Sequence, residues 1–138
     1  MRLIFAAVAL MALSSPLQAD DAGKIVVRPV LSATETSSGQ PIVLPKNNPL
    51  VLVSTYEIPP GMVLPKHKHP YPRYGYVLAG TLKVTNLDTG RSDDFKPGDF
   101  ILEAVDQWHQ GESTGTETVK LLVIDMVENG ANNTVLFK

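Results

Sequence analysis

Apolar, β-branched runs in this chain are short, and nearly every one stops at proline, glycine, asparagine or aspartate. From Lys24 onward no segment sustains a helical period. Such punctuation predicts strands, because proline and glycine interrupt helices while tight turns use them. The runs are Ile25–Val30, Ile42–Leu44, Leu50–Ile58, Met62–His69, Tyr74–Leu78, Thr81–Leu87, Phe100–Ala104, Trp108–Glu112, Val119–Val127 and Thr134–Phe137. Turn signals separate them at Pro59-Pro60-Gly61, Gly80, Asp88-Thr89-Gly90, Pro97-Gly98-Asp99 and Asn129–Asn133. No connection leaves room for crossover helices, so the expected class is all-β, a sandwich or barrel forming one domain over Lys24–Lys138. Ala33–Gly39, polar and small, reads as an exposed loop or mobile arm without chemistry.

The first residues are of a different kind. Met1-Arg2 gives a short positive start, Leu3–Leu13 is an uncharged apolar run, and Ser14–Ala19 resembles a cleavage region. A spanning helix needs about 20 apolar residues, and this run breaks at Ser14-Ser15-Pro16 after roughly half that length. A signal peptide over residues 1–19 is therefore expected, with a mature chain starting near Asp20, periplasmic or secreted and without a stable membrane anchor. Losing Arg2 leaves 11 basic against 14 acidic residues, a net −3, which offers nothing to a nucleic acid. There is no cysteine, so neither disulfides nor thiolate ligands are available in the oxidising compartment this predicts.

The chemistry of the chain concentrates at its three histidines. In a strand, His67 and His69 fall on one face about 6.6 Å apart along the chain, with Lys66 and Lys68 on the other. Imidazoles so placed can converge on one ion with bonds of about 2.0–2.1 Å, although His-x-His alone also describes a solvated basic turn. His109 beside Trp108, taken alone, is equally a core histidine bonded to backbone.

The spacing around the histidines is more specific. Gly61 precedes His67 by five intervening residues, Arg73 follows His69 after three, and six more lead to Gly80. This resembles the first signature of the cupin family, Gly-x5-His-x-His-x3-Glu-x6-Gly, with Arg73 in place of the glutamate. The second cupin signature is followed in spacing, with Gly98 and His109 in register, while Ala104, Asp106 and Ser113 replace its proline, glycine and asparagine. The resemblance runs from about Leu50 to Val127. It implies a jelly-roll-type β-barrel of two antiparallel sheets, with N-terminal strands through which cupins often dimerise, so a homodimer is expected. It also implies one divalent metal ion, Fe, Mn, Zn or Ni, held inside the barrel by His67, His69 and His109.

An arginine where cupins carry a carboxylate poses an electrostatic problem. Three neutral imidazoles leave the ion a formal +2, to which an inward Arg73 adds. Three solutions stand open: Arg73 faces outward, another group such as Glu103 approaches the ion, or an anionic ligand sits between metal and guanidinium. Arg73, Tyr74, Glu103 and Trp108 are thus the candidate ligand-binding residues. Three readings of function remain: a metal-dependent enzyme on a small molecule, a carboxylate for instance, with dioxygenase-type chemistry as in some three-histidine cupins; a non-catalytic module that captures a small ligand or the metal; and a structural role without metal. Motifs for a catalytic nucleophile or a phosphate loop are absent.

Overall fold

A computed structural model describes residues 23–138, and the expected leader lies outside the described residues. These residues form nine strands and, among themselves, no helix. The strands are β1 Pro49–Ile58, β2 His67–Lys68, β3 Arg73–Ala79, β4 Leu82–Asn86, β5 Ser92–Phe95, β6 Phe100–Leu102, β7 His109–Ser113, β8 Val119–Glu128 and β9 Val135–Leu136. They make two antiparallel sheets, ordered β1-β8-β3-β6 and β5-β4-β7-β2-β9.

Strand β8 shows how the sequence sets the core. Val119, Leu121, Val123, Asp125 and Val127 are buried in strict alternation, because a period of two sends every second side chain between the sheets. Ile58, Val77, Leu82, Ile101, Val119, Leu121 and Val123 pack together there, with Leu64, Val84 and Phe95 against them. Each fully buried valine or leucine stabilises the fold by about 1.5–3 kcal/mol. Gly80 closes the turn between β3 and β4 at φ +73°, and a Cβ there would meet the Val119 backbone at 2.8 Å. An alanine would both strain the backbone and clash with the strand beneath.

Several strands are shorter than the apolar runs suggest. Within Met62–His69 only His67–Lys68 is regular strand, since Pro65 has no N–H to give a ladder. Ile25–Val30 and Ile42–Leu44 form no strand: Ile25 and Val27 are 95% and 82% exposed, and Pro29, Pro41 and Pro45 interrupt the segment. Ala33–Gly39, expected as a loose arm, instead docks at the barrel end. Thr36 is buried, the Ser37 N–H donates to the Leu102 carbonyl, and the Gln40 side-chain amide bonds both the N–H and the carbonyl of Val105. Strand β1 forms an edge of its sheet, and Val51, Leu52, Val53 and Tyr56 are exposed along it.

Candidate metal centre

The second sheet brings the three histidines together. His67 on β2 stands directly opposite His109 on β7, and His69 follows one residue beyond β2, bridged to Val105. Their ring centroids are 4.4–4.8 Å apart. His69 and His109 are buried. Glu103, just past β6 in the facing sheet, completes the group, and one ligand atom from each of the four lies within 4.8 Å of all the others. This cluster could hold a metal ion.

Protonation of the rings follows from their partners. His67 Nδ1 lies 2.7 Å from the Pro65 carbonyl, His69 Nδ1 2.5 Å from that of Asn133, and His109 Nδ1 2.9 Å from that of Gln107. A carbonyl can only accept, so each Nδ1 carries a proton and donates it. Every neutral ring then turns the lone pair of Nε2 inward.

What those lone pairs meet tests the fit of a metal. His69 Nε2 and His109 Nε2 both lie 3.0 Å from the same oxygen, Glu103 Oε2, yet both are buried without a hydrogen-bond partner. With both rings neutral, acceptor would face acceptor at each contact. A proton relieves the conflict at one ring only by making it cationic, whereas a divalent cation satisfies both rings, the carboxylate and His67 together. Three imidazole nitrogens and one carboxylate oxygen, gathered within 4.8 Å, are donors that first-row divalent metals accept. The donor set fits the ion.

Without metal the charges settle differently. Burial resists ionisation of Glu103, but hydrogen bonds and attraction from His109 and His69 outweigh it and hold the carboxyl well below its usual range. Burial likewise opposes a charge on His109, and Glu103 overrides it, so the imidazole is raised above its ordinary value. His67 is lowered, by burial first, against the pull of the Pro65 carbonyl.

Arg73 faces the interior and is buried, but no ligand is needed to balance it. It stands opposite Asp125 across the β3–β8 pair, and its Nε and Nη2 donate to the two carboxylate oxygens at 2.7 and 2.9 Å. Asn133 Nδ2 donates to Asp125 Oδ1 as well. Two of the three solutions to the charge problem are thereby distinguished: Arg73 does not face outward, and Glu103 does approach the imidazoles. Neither Asp125 nor Asn133 was singled out from sequence. The available signal was the lone acid at an inward position of the most apolar strand.

Tyr74 and Trp108, expected near the ligand, lie elsewhere. Each is one residue from an inward-facing side chain, Arg73 and His109, and alternation turns it to the outer face. Tyr74 sits near Phe100, and Trp108 packs on Phe137 with the Lys68 ammonium over its ring. Two narrow cavities share Glu103 and His109. One, with about 20 Å³ of accessible space, passes Ser37, Asn86 and Arg91; the other, about 30 Å³, runs inward past His67 and Arg73 to Ile58, Leu64 and Leu121. Each has room for one or two waters.

One departure from the cupin signature is structurally conservative. Asp106, at the glycine position, holds φ 59°, a left-handed conformation that aspartate tolerates better than most residues. Its N–H donates to the His69 carbonyl at 2.8 Å.

The chain was compared with known proteins. No curated protein matches it. Among solved structures, the polyketide cyclase RemF from Streptomyces resistomycificus is 24% identical with a TM-score of 0.54, over 64% of this chain and 62% of the cyclase. Oxalate decarboxylase from Bacillus subtilis is 21% identical with a TM-score of 0.56, over 65% of this chain but only 24% of the enzyme. An uncharacterised Klebsiella pneumoniae protein with a double-stranded β-helix domain is 21% identical with a TM-score of 0.52, over 83% of this chain and 99% of its own. At these identities the likeness concerns the fold. The family profile described as a cupin domain matches residues 54–125, more than half of the sequence and the span that carries all four clustered residues. The chain therefore belongs to the cupin family.

Proposed function

We propose that the protein is an exported cupin that holds one divalent metal ion on His67, His69, His109 and Glu103 and presents it to a small molecule inside the barrel. One observation carries this reading: two buried imidazole nitrogens, His69 Nε2 and His109 Nε2, converge on a single carboxylate oxygen, each at 3.0 Å. Imidazole and carboxylate donors together suit iron, manganese, nickel or zinc. Export rests on the N-terminal Arg2, Leu3–Leu13, Ala19 pattern.

When bound, the metal would supply a Lewis acid and, if redox-active, dioxygenase-type chemistry. The chain's own residues set the conditions for it. Three Nδ1 protons held by backbone carbonyls fix the ring orientations, and Glu103 reduces the net charge of the site. Ile58, Leu64, Leu121 and Val123 make the inner wall apolar and keep water scarce. Arg73 uses Nε and Nη2 on Asp125, which leaves Nη1 for a further acceptor beside His67 and Glu103. A small carboxylate bridging the metal and Nη1 is the ligand class this arrangement suits. The tightness of both cavities also supports a second reading, a module that captures such a ligand without turning it over.

Elemental analysis of the purified protein should find about one divalent ion per chain, and His109→Ala should weaken calorimetrically measured affinity by orders of magnitude. Unchanged affinity in His109→Ala would rule the cluster out as the metal site. Titrating metal-loaded protein with a short carboxylate and with its neutral amide tests the ligand class; equal binding of the two excludes it.

A homodimer is proposed on separate grounds. The β1 edge, with Val51 and Val53 54% and 61% exposed, and the extended, exposed Ile25–Val30 segment both leave apolar surface uncovered among the described residues.

A further inference from the structure

The last residues of the chain bury little, yet they hold the metal-binding strand at three points. Val135, Leu136 and Phe137 are 39%, 57% and 56% exposed, so their burial contributes little to stability. Strand β9 nevertheless pairs with β2 in the register His67↔Leu136 and Lys68↔Val135, and the Phe137 N–H donates to the Lys66 carbonyl at 2.9 Å. The Asn133 carbonyl takes the Nδ1 proton of His69, which is fully buried.

Asn133 is itself held on two sides. Its Oδ1 accepts the Tyr71 N–H at 2.8 Å, and its Nδ2 donates to Asp125 Oδ1, the oxygen that also takes Arg73 Nε. The side chain ties the 69–71 turn to β8 and thereby fixes where its own carbonyl points. Asn133 is 5% exposed, the most buried side chain of a segment that is otherwise at the surface.

We infer that residues 133–137 form a C-terminal clasp in which Asn133 is a positioning residue, locking His69 as the Nδ1–H tautomer and coupling docking of the chain end to metal affinity. This rests on the metal-centre reading above, but the tautomer lock belongs to the metal-free protein too. Partners that orient metal-binding histidines typically contribute 10–100-fold to metal affinity. By linkage, a metal that binds only the clasped form also holds the clasp closed.

The test uses the full chain, a chain ending at Asn132, and Asn133→Ala, which keeps the carbonyl but removes both side-chain ties. Long-range proton–nitrogen NMR on metal-free protein should show a proton fixed on His69 Nδ1 in the full chain. The truncated chain should show exchange between tautomers and bind Mn²⁺ or Ni²⁺ 10–100-fold more weakly. Asn133→Ala should move both readouts the same way by less, and it decides the matter if the truncated chain does not fold. A full chain in which His69 Nδ1 carries no proton overturns the inference, as does an unchanged Nδ1 signal or metal affinity within twofold in a folded variant. A full chain that binds neither ion refutes the metal-centre reading instead, and the tautomer measurement still decides the clasp.

Discussion

Replacing Arg73 by methionine keeps the volume of the side chain and removes its charge, leaving Asp125 buried with only Asn133 Nδ2 as a partner. Breaking a buried pair at one end typically costs about 3–5 kcal/mol. A small cavity beside Arg73 lets a water approach, which places the loss near the lower figure. Metal-free Arg73→Met should therefore lose about 3 kcal/mol in urea titrations with an unchanged slope, and melt about 12 °C lower at roughly 4 °C per kcal/mol. Adding Asp125→Leu should recover about one-third to two-thirds of it, leaving about 1–2 kcal/mol for the Asn133 amide deprived of its acceptor. A single variant within 1 kcal/mol of the parent at pH 7 would refute the reading of this pair as a buried, mutually dependent one.

The pH profiles of metal-free and metal-loaded protein should diverge. The depressed Glu103 contributes stability that is present above its ordinary 4.5 and lost as pH falls through its folded value; the raised His109 contributes stability that is complete below 6.5 and lost as pH rises through its folded value. The lowered His67 works against His109 over the same range, so the test is the gain on loading: metal should raise the melting temperature more at about pH 8.5 than at about pH 6, because protons compete with the ion for His109; an equal gain would exclude a shared site. Mass spectrometry of material from a bacterial periplasm or medium should find a chain starting at or near Asp20, and a membrane-bound product that retains Met1 would refute cleavage. Light scattering should report a dimer, and Val53→Lys on the exposed β1 edge should shift it toward monomer; a parent that is monomeric at every concentration contradicts the pairing proposal.

The parts of this structure legible in the sequence are those fixed by local pattern. Alternation along Val119–Val127 and the turn at Gly80 depend on neighbours in the chain, and both are as the sequence suggests. The spacing of His67, His69 and His109 carried the family. What was not legible depends on distant partners. Ile25–Val30 has the composition of a strand, but no edge of its own sheets receives it, and composition cannot supply one. Tyr74 and Trp108 were assigned to the site by nearness in sequence, although a displacement of one residue reverses the face. Whether Arg73 points inward could not be decided without Asp125, which lies 52 positions away and meets it only through the β3–β8 register.

On the proposed reading, Glu103 gives the site the carboxylate that the cupin signature carries at position 73. The Glu103 N–H donates to the Arg73 carbonyl at 3.1 Å, so the two residues are neighbours at the same level of the barrel. A rearrangement of this kind would move the carboxylate from one position to the other, and Asp125 neutralises the arginine that stands at 73. Glu103→Gln should then weaken metal binding by about 10–100-fold, since it removes the anionic donor and keeps the shape. Combining it with Arg73→Glu returns a carboxylate to the position where the cupin signature carries one, and should restore most of the lost affinity. The rescued protein should still be less stable than the parent, because Asp125 loses its guanidinium and faces a second acid across the β3–β8 pair whenever metal is absent. Calorimetric titration with Mn²⁺ or Ni²⁺ reads the affinity, and thermal melts with and without the ion read the stability. If Glu103→Gln binds metal as the parent does, Glu103 is not a ligand; if it weakens binding and the double variant, shown to be folded, recovers none of it, positions 73 and 103 are not interchangeable and the rearrangement is not what the two substitutions record.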